Sequence, residues 1–195
     1  MTIQYHDIGA ADTISKEYKD ARFSFMSQVE GFMEGKLYFD SAGVLSDGFG
    51  FNLTISDVAD QVISAMGLSA NNDTGGYITQ IKAMLGTWQY AEGNPGLATS
   101  VQTALDQIMS LASQQIAGVN STFVFKSPDQ ARSVFDFIAD NNFGSEKSYE
   151  QRIANKISGV PYSRERIALF SLAYNGLLPS SNNLKAIKGA GGIIF

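Results

Sequence analysis

One stretch breaks the helical pattern of this 195-residue chain and decides its fold class. In residues 35–53, GKLYFDSAGVLSDGFGFNL, aromatic and β-branched residues are interleaved with Gly35, Gly43, Gly48 and Gly50. This composition predicts a small antiparallel β unit with tight turns, because glycine supplies positive φ at little steric cost. Everything around it reads as helix. Over residues 14–33, Tyr18, Arg22, Phe25, Met26, Val29, Phe32 and Met33 recur at steps of three and four, a mostly apolar stripe. Glu30 lies off the centre of that stripe, near its end.

After the β unit, Thr54 or Ser56 is placed to cap a helix carrying Val58, Val62, Ile63 and Met66, with Gly67 as its stop. Residues 71–76, NNDTGG, read as a loop. Ile78, Ile81, Met84 and Leu85 mark the next helix, and residues 96–117 a long one. Ser127-Pro128-Asp129 is a helix start with proline at the first helical position. Tyr149, Ile153 and Ile157 mark another helix, and Ser163 caps the last, SRERIALFSLAYNGL. The tail 182–195 carries little signal. The expectation is an α+β fold in a single domain, residues 1–195. A small N-terminal β lobe (14–70, with its leading helix) is expected to face a larger helical lobe (71–195), with a cleft between them.

Composition narrows the chemistry. There is no cysteine and one histidine, His6, in a start expected to fray. A thiol nucleophile is excluded, and a histidine triad or a zinc site is disfavoured. Phosphate-loop and dinucleotide-fold glycine patterns are missing, so no metal or organic cofactor is expected. Residues 1–60 hold ten acids against four bases, a net −6, and the remainder carries +1. Without a basic stripe, nucleic acid is not an expected partner. No apolar run reaches the ~18 residues of a membrane span, and the N-terminus has no signal-peptide pattern. The expectation is synthesis in the cytoplasm without membrane insertion.

What remains for catalysis is carboxylates. Hydrolysis of a glycosidic bond uses two: one protonated, to give its proton to the leaving oxygen, and one ionised, to activate water or attack the sugar. Their environments must hold their pKa values apart. Glu30, at the end of an apolar helix, and Asp40, in a polar turn, fit those roles. With nineteen acids in the chain, many other pairs exist, and a solvated surface role is the ordinary fate of both.

The run E-G-F-M-E-G-K-L-Y-F-D-S-A-G-V-L-S-D-G-F-G-F-N-L (30–53) resembles the active-site segment of phage-type lysozymes, including the lysozyme-like domains of bacteriocins and secreted antibacterial effectors. Glu30-Gly31, Tyr38-Phe39-Asp40, Gly43 and Ser46-Asp47-Gly48-Phe49-Gly50 match that segment's E-G, Y-x-D, glycine and T-[IV]-G-[YFI]-G in order. Far downstream, Arg166-Ile167-Ala168-Leu169-Phe170-Ser171-Leu172-Ala173-Tyr174-Asn175 is similar to the family's central buried helix. The match covers residues 14–53 and 163–178; the long middle shares only helical character.

The resemblance implies peptidoglycan hydrolysis at the β-1,4 bond between N-acetylmuramic acid and N-acetylglucosamine. Glu30 would be the general acid, Asp40 would position or activate water, and Ser46 would help to hold that water in place of the family's threonine. Phe49 and Asn52 would line the cleft, and Asn175 would anchor the segment around Glu30 or cap its own helix. Ser46 also has a plain alternative, a turn hydrogen bond. Glu30 and Asp40 stand ten positions apart, one more than in the best-known members, and Asp47 replaces an apolar residue, which makes it a rival second carboxylate. The implied partner is the peptidoglycan glycan strand, acted on by a monomer in the cell wall after delivery by a secretion system, phage tail or holin; an immunity protein is a candidate partner. Two rivals remain open: a lytic transglycosylase working with one Glu, and a non-catalytic peptidoglycan-binding or structural module.

Overall fold

The structure, a computed structural model, describes residues 5–9, 13–31, 36–40, 42–88 and 95–178. Helix α1 (Lys16–Val29) leads to three short strands, β1 (Tyr38–Phe39), β2 (Leu45–Asp47) and β3 (Phe51–Asn52). Six helices follow: α2 (Ser56–Ala65), α3 (Tyr77–Thr87), α4 (Pro95–Gln115), α5 (Pro128–Asp140), α6 (Tyr149–Lys156) and α7 (Arg164–Tyr174). The strands form one antiparallel sheet in the order β1-β2-β3, so the chain is α+β.

Helix starts follow local chemistry. Ser127 Oγ accepts the Gln130 N–H at 3.2 Å just before Pro128, and Ser163 Oγ accepts the Arg166 N–H at 3.3 Å ahead of α7. Ser148 does the same for α6. Each bond satisfies one donor that a helix start leaves open. Neither Thr54 nor Ser56 caps α2, whose N-cap is Ile55 with no side-chain bond. Thr54 is engaged earlier: its N–H and its hydroxyl both donate to Asn52 Oδ1, at 2.9 and 2.6 Å.

Two compact units organise the chain: residues 1–29 with 138–195, and residues 30–137. Helix α1 groups with the C-terminal helices in the first of these. In the first unit α1 and α6 both pack on α7, around Tyr18, Met26, Ile153, Leu169 and Phe170. The start of the chain is held there too. Arg164 N–H donates to His6 O at 3.1 Å, and His6 Nδ1 lies 2.6 Å from Glu165 Oε1, so His6 is pinned rather than frayed.

In the second unit α3 packs on α4, α4 lies against β1, and α2 against β3. Gln102 of α4 accepts the Leu37 N–H at 3.0 Å and so ties the sheet's first edge to the helix. Gly67 ends α2 with φ 97°, and a Cβ there would sit 2.7 Å from Gly118 O. The sequence's stop signal therefore also marks a close backbone approach. Residues 182–195 lie outside the described residues.

Candidate active site

Five of the six expected site residues, Glu30, Asp40, Ser46, Phe49 and Asn52, fall in the unit 30–137; Asn175 falls in the other. Glu30 follows the last residue of α1 and is half-buried. Asp40 closes β1 and is exposed. Its Oδ1 accepts the N–H groups of Ala42 (2.8 Å) and Val44 (2.9 Å), and its carbonyl accepts that of Gly43 (2.9 Å). A short polar side chain bonding the backbone two residues on is the usual way Asp builds a turn.

Strand register sorts the remaining residues by face. Tyr38 pairs with Ser46, and Ser46 with Asn52. Side chains alternate across a strand, so Tyr38, Ser46 and Asn52 share one face. Asp40, two residues after Tyr38, belongs to the same side. Leu45 and Asp47 take the opposite, apolar face, where Asp47 pairs with Phe51.

Ser46 is 1% exposed, and its hydroxyl donates to Val44 O at 3.3 Å, a bond within its own strand. Asn52 gives its carbonyl oxygen to Thr54. Phe49 does not present its ring to a cleft. It is 5% exposed and packs edge-on against Phe51 (6.0 Å) and Phe135 (6.4 Å). The turn explains why: Gly48 (φ 58°) and Gly50 (φ 89°) fold the chain so that Phe49 turns inward, and a Cβ at Gly48 would press on Phe125 at 3.2 Å. Asn175 is the C-cap of α7, and its Nδ2 donates to Ser171 O at 3.0 Å, the helix-end role.

Tyr38 ties the acids together. Its phenol is pushed up first by burial, and then by the charges of Asp40, Asp47 and Glu30 in that order. Its hydroxyl lies over Gly50, where a Cβ would approach it to 3.3 Å.

Asp47 is the departure from the expected pattern. It is 0% exposed, and neither carboxyl oxygen has a hydrogen-bond partner among the described residues. Burial pushes it well above the usual carboxylate range, against a smaller opposing pull from the nearby Gly48 N–H. Desolvation of this kind disfavours the ionised form.

A second set of buried charges went unread in the sequence. Arg22 of α1 is 0% exposed, and its Nη1 donates to Asp140 Oδ1 (2.8 Å) and Glu150 Oε1 (2.9 Å). Arg166 Nε donates to Glu150 Oε2 at 2.7 Å, and Tyr18 Oη donates to Glu150 Oε1 at 2.9 Å. The available signal was Arg22 itself, an arginine standing on an apolar stripe. Among the described residues, no group of three or more His, Cys, Asp or Glu side chains is placed to hold a metal, and no helix is long and apolar enough to cross a membrane. No family model, curated protein or solved structure matches the chain.

Proposed function

We propose that the chain is a peptidoglycan hydrolase of the phage-lysozyme type, with a lysozyme-like β lobe. The observation that carries this reading is the strand register, which lines up Tyr38, Ser46 and Asn52 on one sheet face, with Asp40 and Glu30 among the charges that push the Tyr38 phenol up. Glu30, half-buried, serves as the acid that protonates the leaving glycosidic oxygen. Asp40, exposed and fixed through Oδ1, serves as the ionised partner that orients water on the other face of the sugar. Asp47 is sealed away from solvent, which argues against its acting on water directly. The reading places the protein's work in the cell wall after delivery, on glycan strands, with an immunity protein as a candidate partner.

One observation favours a second reading. Asp40 is bound into its own turn through Oδ1, and Asp47 is buried, which favours a mechanism that relies on Glu30 rather than on a second carboxylate. A lytic transglycosylase works with a single acid of this kind. Purified cell walls incubated with the protein should clear, and their muropeptides should carry hydrolysed reducing ends. Products lighter by one water, the 1,6-anhydro form, would establish the transglycosylase instead; no clearing would leave a binding module.

A further inference from the structure

The unit formed by residues 1–29 and 138–195 contains a pocket of about 470 Å³ between the end of α5, the first turns of α6 and the start of α7. That is the size of a small-molecule site, typically ~300–1,000 Å³, but its lining is polar where such sites are mostly apolar. Its walls are planar polar groups: the carboxylates of Asp140 and Glu150, the guanidinium of Arg166 and the amides of Asn141, Asn142 and Gln151. Tyr162 adds an aromatic ring, half-exposed, with the Arg166 guanidinium 4.4 Å from its centre and the Tyr18 ring edge-on at 5.0 Å.

The charges are already answered inside the protein. Asp140 is held by Arg22 (2.8 Å) and Lys19 (2.7 Å), and Glu150 by Arg22 (2.9 Å) and Arg166 (2.7 Å). Glu150 and Arg166 are themselves 5% and 6% exposed, so their geometry is fixed by burial. A pocket with neutralised charges offers little to a free ion. What it presents to a ligand are the planar amides of Asn142 and Gln151 and the half-exposed Tyr162. Hydroxyl groups both donate and accept, so they can use both the oxygen and the NH2 edge of such amides.

We infer that this pocket binds a neutral saccharide, one or two rings long, as a site separate from the residues around Tyr38. The inference stands apart from the catalytic reading, since it uses none of the same residues. If both hold, the protein grips glycan through this pocket independently of cleavage.

Nitrogen-15 NMR of the full chain carrying Glu30→Gln, titrated with the tetramer of N-acetylglucosamine and separately with cellotetraose, tests it. The amides of Asn141, Asn142, Gln151 and Tyr162 should shift and saturate, and the two probes show whether the N-acetyl group matters. Ala154→Trp, an exposed lining position, should abolish those shifts without changing the fold. Gln151→Ala, also exposed, should weaken binding by roughly tenfold, the loss of a hydrogen bond or two. Shifts confined to the residues around Tyr38, or pocket shifts that survive Ala154→Trp, or saturation by acetate with none by either saccharide, would overturn the inference.

Discussion

At the scale of single residues, the acids divide by what surrounds them. Asp47 shows this most sharply, because a carboxyl with no exposed surface is costly to ionise. Its folded-state pKa is raised, so the folded form binds the proton more tightly than the unfolded chain does. Its contribution to stability is therefore full below the unfolded value, ~3.9, and is lost progressively as pH rises toward and through the folded value. Chemical denaturation from pH 4 to pH 8 should show the wild type losing stability relative to Asp47→Asn as pH rises. Parallel pH profiles for the two proteins would show that Asp47 ionises without cost. Asp40 lies exposed on the other side of the sheet, so the activity ranking should run the opposite way. Asp40→Asn should depress wall clearing far more than Asp47→Asn, and the reverse order would move the partner role to Asp47.

At the scale of elements, glycine positions separate backbone conformation from packing. Gly67 and Gly76 both have positive φ, 97° and 67°, but a Cβ would meet Gly118 O at 2.7 Å in the first and nothing within 4 Å in the second. Gly76→Ala should cost about 1–2 kcal/mol, the ordinary penalty of a left-handed L-residue. Gly67→Ala should cost more, since the backbone of the Gly118 loop must also move; equal losses in a denaturation series would contradict the close approach. The starts of α5 and α7 were legible because their signals are local: a serine and, for α5, a proline within one turn. The missing cap of α2 was not, because Asn52 engages Thr54 first. Around the site, Glu30 and Asp40 stood out in the sequence as members of a spaced pattern. The faces of Ser46 and Asp47 did not, because shifting register by one residue exchanges the two faces of a strand. Phe49 was misread for a related reason: two positive-φ glycines turn it inward, and a run of letters does not show that.

At the scale of the molecule, the first helix packs with the last two rather than with the strands that follow it. Glu150 joins them by accepting from Tyr18, Arg22 and Arg166. Removing its charge leaves buried guanidinium groups undercompensated, a change that typically costs ~3–5 kcal/mol. Hydrogen exchange of Glu150→Gln should show protection lost in α1, α6 and α7 ahead of α2, α3 and α4; uniform loss would mean that the two units unfold as one. The central claim concerns Glu30 and is tested most directly by one comparison: muropeptide release from purified walls by the wild type and by Glu30→Gln, each first shown to be folded. A positioned acid is worth ~10²–10⁴ in rate, so release by the variant should fall to background while its denaturation curve matches the wild type. A folded variant that keeps more than about a tenth of the wild-type rate would contradict the account.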